Sequence, residues 1–286
     1  MTRVLSALVL LPVVVGTIWF LPEQATLLLA LVAAVLAFRE YCAIARGVGV
    51  SVPGGIGGVA VVLVACAMWL GDRSSGFSST SLLPGSGESF TEGWAFHSNQ
   101  AALVLLSAFI VAGAISVARG RPGPAVLSDA AATLFAPIYI GLPLGALAWV
   151  RAASGREAVL LLLAVIVVSD SAQYYTGRAF GRRPLSPTIS PKKTVEGAIG
   201  GMVFGTLAMA VGGRYVFASP IWMLALLGAA ISLLGIIGDL FESLLKRSAG
   251  VKDSSNLIPG HGGVLDRIDS WLFAAPVYYM FVRFAA

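Results

Sequence analysis

Runs of roughly 20 mostly apolar residues recur from one end of this 286-residue chain to the other. A helix of that length spans the hydrocarbon core of a bilayer, which is about 30 Å thick. The composition agrees, since 57% of the residues are hydrophobic, 12% are charged and the mean hydropathy is +0.88. A soluble domain usually carries about twice this charged fraction. We therefore expect an all-α polytopic membrane protein with little room for a soluble domain.

The apolar runs predict about nine transmembrane helices in a single membrane-embedded unit. Residues 1–150 hold five of them and residues 151–286 hold four. The fifth is expected to be kinked at Pro137 and Pro143, because proline removes a helical hydrogen bond. The first run follows Arg3 as in a signal peptide, but it lacks a clear cleavage site and is interpreted as a retained helix. The predicted spans are roughly 4–21, 24–45, 54–71, 100–118, 126–150, 157–179, 194–215, 220–247 and 268–285.

Basic residues are divided unequally between the two predicted sides of the membrane. With nine spans, the N-terminus and the even-numbered loops share one side, which holds 14 of the 19 Lys and Arg residues. The positive-inside rule places that side in the cytoplasm and the C-terminus outside. We expect an integral protein of a bacterial-type inner membrane, with its charged site facing the cytoplasm. The Ser- and Gly-rich loop 72–100 lies on the outer side and is assigned no chemistry.

Two other features have structural explanations. Cys42 and Cys66 lie in apolar runs and form neither a disulfide framework nor a metal-binding spacing. In the seventh predicted span Gly197, Gly201 and Gly205 form a G-x-x-x-G-x-x-x-G ridge, which lets another helix approach closely. Packing within the chain is favoured for this ridge, and a homodimer contact is the alternative.

Charged residues are costly inside a bilayer and often mark function. Here they concentrate in three segments on the predicted cytoplasmic side. SDSAQYYTGR, residues 169–178, contains Asp170 near the end of the sixth helix. RRPLSPTISPKKTVEG, residues 182–197, is kept from being helical by its prolines and delivers Lys192, Lys193 and Thr194 to the start of the seventh helix. Thr194 is expected to cap that helix, a role compatible with one in a site.

The third segment covers residues 238–270. In GDLFESLLKR its polar side chains recur at helical spacing and form one stripe: Asp239, Glu242, Ser243, Lys246 and Arg247. Further on, Asp266 and Asp269 are three residues apart and share a face if they are helical. An N-cap explains one aspartate, but it does not explain the convergence of several acids on one membrane face.

Carboxylates without a cysteine partner suit Mg²⁺, which usually binds one or two carboxylates plus phosphate oxygens. Neighbouring Lys and Arg suit the remaining phosphate charge. Glycines flanking His261 let backbone N–H groups approach an anion, so phosphate contact or loop scaffolding is favoured for His261 over general acid–base catalysis. The combination indicates phosphoryl or nucleotidyl transfer at a membrane surface.

The segment SLLKRSAGVKDSSNLIPGHGGVLDRID, residues 243–269, resembles the signature of the phosphatidate cytidylyltransferase (CDP-diacylglycerol synthase) family. Every fixed position of S-x-hydrophobic-K-R, K-D, P-x-H-G-G and D-R-x-D is met. The upstream blocks SDSAQYYTGR and SPTISPKKTVEG are also similar, so the resemblance covers about residues 169–270. Where the family often has a Gly-Lys-x-Lys-Leu turn, this chain reads GRRPL at 181–185, and Arg183 and Pro184 are therefore given no role.

The resemblance implies transfer of the cytidylyl group of CTP to phosphatidic acid, giving CDP-diacylglycerol and pyrophosphate with Mg²⁺ and room for a second metal ion. It implies two first-choice metal ligands, Asp239 and Asp266, and three second choices, Asp170, Glu242 and Asp269. The implied catalytic residues are Asp239, Asp266, Lys246, Lys252 and His261. The implied substrate-binding residues are Lys192, Lys193, Thr194, Arg247, Gly262, Gly263 and Arg267. The lipid tails are expected to stay in the bilayer.

Two other functions compete with this interpretation. A secondary ion or solute transporter also carries charges in its helices, but transporters place them near the membrane midplane rather than at one face. A CDP-alcohol phosphotransferase would use the product of the proposed reaction, but its D-x-x-D-G-x-x-A-R motif is absent. No nucleic acid partner is expected.

Overall fold

A computed structural model of the chain describes residues 2–71, 99–119, 122–258, 260 and 262–286. These residues form helices joined by short connections, with one small hairpin. The hairpin strands are β1, Pro184–Ser186, and β2, Ser190–Thr194. The helices are α1 (Thr2–Phe20), α2 (Glu23–Gly47), α3 (Gly54–Leu70), α4 (Asn99–Arg119), α5 (Ala125–Ala136), α6 (Leu142–Phe180), α7 (Val195–Val216), α8 (Ile221–Ser248) and α9 (Leu265–Phe284).

Several of the described helices have the length and composition of membrane spans. Five helical segments are apolar and long enough to cross a bilayer: Glu23–Gly47, Gln100–Ala118, Ala125–Phe180, Val195–Val216 and Ile221–Ser248. Large apolar side chains such as Phe109 and Leu207 are exposed on the outer faces of these helices, as contact with lipid tails requires. The expectation of a polytopic, helical membrane protein is confirmed.

The predicted kink in the fifth span is a π-helical turn at Pro137–Gly141, between α5 and α6. The Leu142 N–H bonds to the Pro137 carbonyl, one residue farther back than in an α-helix. Helix α6 then breaks at Gly155, where φ is 81° and a side chain would be strained. The predicted fifth and sixth spans are therefore one helical run with two interruptions.

The proline-rich part of segment 182–197 is not helical, as predicted. Beyond that prediction, it forms an antiparallel hairpin in which Pro184 pairs with Thr194 and Ser186 with Ser190. Proline is tolerated in such a two-stranded ribbon because each strand has a free edge that needs no N–H donor. The hairpin is the one departure from helical structure among the strands and helices of the described residues.

The glycine ridge of α7 is used inside the chain. Gly197, Gly201 and Gly205 are all buried. A Cβ on Gly197 would lie 2.7 Å from the Gln173 carbonyl of α6, and one on Gly201 would lie 3.0 Å from the Ser169 carbonyl. Packing of α7 on α6 therefore accounts for the spacing, and a dimer through this face would have to displace α6.

The charged segments gather at one end of the helix bundle. Gly47, at the end of α2, packs closely against Ala249, which follows α8. The far end of α2 is about 37 Å away, because a helix rises about 1.5 Å per residue. There Arg151 and Arg156 of α6 donate to backbone carbonyls at the end of α1. The two ends of the bundle thus have different partners for their basic residues.

Candidate active site

Acidic side chains from three helices lie close together at the charged end. Asp170 belongs to α6, Asp239 to α8 and Asp269 to α9. Asp239 acts electrostatically on both of the other carboxyl groups, and Asp170 acts on Asp269. The sequence predicted that Asp239, Glu242, Asp266 and Asp269 converge. The structure brings Asp239 and Asp269 together with Asp170, and we call these three residues the acid trio.

The hairpin brings a lysine to the acid trio. Lys193 of β2 forms an ion pair with Asp239 Oδ2, while Ser243 Oγ donates to Asp239 Oδ1 at 3.4 Å. The Lys193 side chain is 17% exposed and that of Asp239 is 34% exposed, so the pair is reachable from solvent. Lys193 and Arg267 also attract the carboxylate of Asp170. Two cations therefore offset the charge of three acids.

A second cluster lies beside the trio and centres on Lys246. The Lys246 ammonium contacts both Glu242, which is fully buried, and Asp266. Both Glu242 oxygens are buried, and the Lys246 ammonium pairs with Glu242 Oε2. Asp266 accepts from the Ser254 N–H at 2.9 Å, the Ser254 hydroxyl at 2.8 Å and the Gly263 N–H at 2.7 Å.

These contacts fix the charge of Asp266, which precedes the predicted last span. Burial alone would raise the pKa of this carboxyl group, but the hydrogen bonds from Lys246, Gly263 and Ser254 outweigh it and lower the pKa to about 2. Asp266 is therefore a carboxylate at neutral pH. Both its oxygens accept from protein donors, and its role as a metal ligand stays a prediction.

Glu40 of α2 is a member of this cluster that sequence reasoning missed. It is 5% exposed and accepts hydrogen bonds from the hydroxyls of Ser254 and Ser255 and from the N–H groups of Val264 and Leu265. The available signal was an acid inside an apolar run, which is costly in a bilayer and usually functional. Its partners are more than 200 residues away, so no local pattern identified them.

The glycines of the predicted phosphate loop are needed because carboxylate side chains lie too close to them to leave room for a Cβ. Gly262 has φ of 78°, and a Cβ there would lie 2.5 Å from Asp266 Oδ2. A Cβ on Gly263 would collide with the Glu40 carboxylate. Backbone N–H groups can therefore come close to carboxylates here. His261 lies outside the described residues, and its role stays a prediction.

Several predicted phosphate-binding cations have exposed side chains. The side chains of Lys192, Lys252 and Arg267 make no hydrogen bond or close ion pair within the described part of the chain. Arg247 is also exposed and donates to the Val251 carbonyl at 3.2 Å. Thr194 caps α7 as predicted, accepting from the Gly197 N–H at 3.1 Å. The first three side chains are accessible to an anionic ligand.

The acidic side chains of the site can be matched to the ligands that a metal ion needs. Among the described residues, no three Asp, Glu, His or Cys side chains are grouped as a ready-made metal cage. Mg²⁺ needs no such cage, because it commonly takes one or two carboxylates and completes its shell with water and substrate phosphates. The acid trio and Asp266 offer hard oxygen donors of this kind, so the residues present fit Mg²⁺.

These observations define a polytopic helical membrane protein whose acids and bases form one charged centre at one end of the bundle. The sequence model of the Cytidylyltransferase family matches residues 1–285. The chain therefore belongs to the Cytidylyltransferase family.

Individual relatives give the same result. The phosphatidate cytidylyltransferase of Synechocystis is 49% identical over 131 residues, which are 45% of this chain and 44% of that protein. The Helicobacter pylori enzyme of the same name is 35% identical over 189 residues, covering 66% of this chain and 68% of that protein. A Mycobacterium tuberculosis enzyme of this name is 39% identical over 159 residues, 54% and 48% of the two chains.

The chain spans 44 to 68% of the length of these three relatives. The predicted resemblance is confirmed, and the comparisons do not support a transporter.

Proposed function

We propose that the protein transfers the cytidylyl group of CTP to phosphatidic acid, giving CDP-diacylglycerol and pyrophosphate. The observation that carries the proposal is the ion pair between Lys193 and Asp239, which joins the hairpin to the acid trio. It brings basic and acidic segments far apart in sequence into one centre, in a chain whose relatives bear the name of this activity.

The chemistry requires little from a general base. The lipid phosphate is already ionised at neutral pH, and one of its oxygens attacks the α-phosphorus of CTP. A phosphorus–oxygen bond to the lipid forms as the bond between the α- and β-phosphates breaks, and pyrophosphate leaves with the electron pair. Both reactants are anions, so the protein's work is to position them and offset their charge. Lys192, Lys252 and Arg267 have exposed side chains that can serve that purpose.

We also propose that Mg²⁺ binds at this centre. Asp239 is the first-choice ligand because its carboxylate is partly exposed and belongs to the acid trio. Asp266 and Asp269 are candidates for the second ligand from α9. Bound Mg²⁺ would offset charge on the phosphates and on the leaving pyrophosphate. Lys193 would then be released from Asp239 to contact phosphate.

The proposal includes nine spans, with the charged end in the cytoplasm. Support comes from the break at Gly155, which divides the long run Ala125–Phe180 into two lengths that can each cross the membrane. The distribution of Lys and Arg supports the orientation. A homodimer remains a prediction.

The direct test uses purified protein in detergent micelles with labelled CTP, phosphatidic acid and Mg²⁺. We expect labelled CDP-diacylglycerol, and none when phosphatidic acid is omitted or Mg²⁺ is chelated. A folded preparation that makes no product but dissipates an ion gradient in liposomes would overturn the proposal in favour of a transporter.

A further inference from the structure

We propose that Glu40 is a positioning residue, which holds the start of α9 and the preceding loop so that Asp266 and Asp269 face the site. The role rests on the proposed function, because those two acids belong to the proposed site. Glu40 itself comes from α2, in the half of the chain that lies outside the motif resemblance.

The Glu40 carboxylate takes over the capping of α9. Val264 precedes that helix and offers no side-chain cap. Glu40 instead accepts from the Val264 N–H at 3.0 Å and the Leu265 N–H at 2.7 Å. These N–H groups have no partner within a helix, and a negative charge near them also complements the helix dipole. A capping interaction that is usually local is made here between distant parts of the chain.

Two carboxylates divide the donors of the loop between them. The Gly263 N–H donates a hydrogen bond to Asp266, whereas the N–H groups of the next two residues donate to Glu40. The Ser254 hydroxyl lies 3.0 Å from Glu40 and 2.8 Å from Asp266, and it has one proton to give to either. Glu40 and Asp266 are therefore coupled through shared loop groups, and loss of Glu40 would shift Asp266.

Glu40 stands on a firmly packed part of α2. Ala37 and Phe38 beside it are buried, and the Tyr41 hydroxyl donates to the Ala132 carbonyl at 3.0 Å. The Ser255 hydroxyl completes the contact with a 2.7 Å hydrogen bond to Glu40. A rigid helix that anchors a loop through four donor residues limits the positions the loop can take.

Glu40→Gln tests the role with little change in shape. The amide keeps one oxygen acceptor, but its NH₂ group faces N–H donors that need acceptors. We expect kcat for CDP-diacylglycerol formation to fall about 10- to 100-fold, with KM for CTP and lipid within about threefold of wild type. The Val264 and Leu265 N–H groups should exchange hydrogen about tenfold faster. Glu157→Gln, an exposed acid at the other end of the bundle, is the matched control.

Ser255→Ala supplies a milder variant if Glu40→Gln does not fold. Because both changes act on one set of contacts, their effects on kcat in the double variant should not multiply. Wild-type kcat together with wild-type exchange in Glu40→Gln would overturn the proposal, as would a loss of thermal stability with kcat unchanged. If the wild-type protein makes no CDP-diacylglycerol, the proposed function fails, but hydrogen exchange still decides whether Glu40 holds the loop.

A second, independent observation is a groove between α2 and α3. The structure assigns this groove to an anionic phospholipid of the bilayer. Its volume is about 810 Å³, and its lining has two arginines, Arg39 and Arg46, no acid, and otherwise apolar residues or glycine, including Val35, Val59 and Leu63. Glu40 does not line it, so the groove is separate from the loop contact.

The lining selects a ligand with a charged head and an apolar body. Arg39 and Arg46 are both exposed and stand two turns apart on α2. Arginine binds phosphate oxygens through paired N–H groups, and basic pockets between membrane helices suit lipid headgroups. Gly54 and Gly55 leave open space at the start of α3, where a Cβ would meet no atom within 4 Å. A phosphate at the arginines would place an acyl chain along the apolar wall.

Photocrosslinking in nanodiscs tests whether the groove prefers an anionic phospholipid. Protein is placed in phosphatidylcholine nanodiscs containing a few per cent of photoactivatable phosphatidic acid or phosphatidylcholine, and crosslinked peptides are identified. We expect phosphatidic acid to crosslink within α2 and α3 several-fold more than phosphatidylcholine. The double substitution Arg39→Gln and Arg46→Gln should remove that preference, and the exposed Arg214→Gln should not. Equal crosslinking of the two lipids, or an unchanged preference in the double variant, would overturn the assignment.

Discussion

Individual carboxylates in this molecule differ in how many hydrogen-bond donors surround them, and we expect different roles for them on that basis. Asp266 and Glu40 are saturated with loop donors, as anchoring groups are. Within the described part of the chain Asp239 has Lys193 and Ser243 as its hydrogen-bond partners, and it stays partly exposed. Since a carboxylate already filled with backbone donors is harder to recruit, Asp239 is the acid most open to a metal ion.

The substitution Asp239→Asn removes the negative charge of this side chain and tests its role. Asparagine has nearly the same size and can still accept from Ser243, so the fold should be retained. We expect CDP-diacylglycerol formation to fall by about two orders of magnitude or more, because the proposed ligand for Mg²⁺ and the partner of Lys193 are both lost. Turnover of labelled CTP is the measurement, with Glu157→Gln as a charge-loss control. Activity within threefold of wild type would remove Asp239 from the site.

Helical elements could be predicted from sequence to the extent that their signals are local. Each apolar run of about 20 residues is enough to predict a helix, and Thr194 next to such a run is enough to predict its N-cap. The hairpin at 184–194 was missed because its pairing depends on contacts with α7 and α8 that no short pattern reports. Glu40 was missed for the same reason, since its partners lie far along the chain. Asp170, Asp239 and Asp269 could be placed on one side of the membrane because each lies near the end or the start of a predicted span on that side.

Close packing between α6 and α7 predicts that a larger residue at this interface lowers the free energy of unfolding. Gly201→Ala places a methyl group 3.0 Å from the Ser169 carbonyl, so the two helices must separate slightly. We expect a loss of about 1–3 kcal/mol in the free energy of unfolding. Gly113→Ala is the matched control, because a Cβ there meets nothing within 4 Å and alanine favours a helix. Thermal unfolding in detergent gives the comparison, and equal melting of both variants would contradict the packing argument.

At the scale of the whole molecule, the two halves of the chain complete one centre. The motifs of residues 169–270 supply the acids and bases, while α2 supplies Glu40 and closes against Ala249. The opposite end of the bundle uses Arg151 and Arg156 to hold carbonyls at the end of α1. One end is thus built for a ligand and the other for closure between helices, which fits an enzyme that works at one membrane face.

That polarity predicts which loops an impermeant reagent can reach. In a variant with Cys42→Ala and Cys66→Ala, a single cysteine is introduced by Asn256→Cys in the loop before α9 or by Ala218→Cys between α7 and α8. Both positions are exposed and lie in loops that nine spans place on opposite sides of the membrane. Because the charged loop should face the cytoplasm, we expect a membrane-impermeant maleimide to label Ala218→Cys in intact spheroplasts and to label Asn256→Cys only after lysis. Labelling of both cysteines in intact cells would show that the spans between them do not cross as proposed, and the reverse pattern would place the CTP-binding end outside, where the proposed reaction has no CTP.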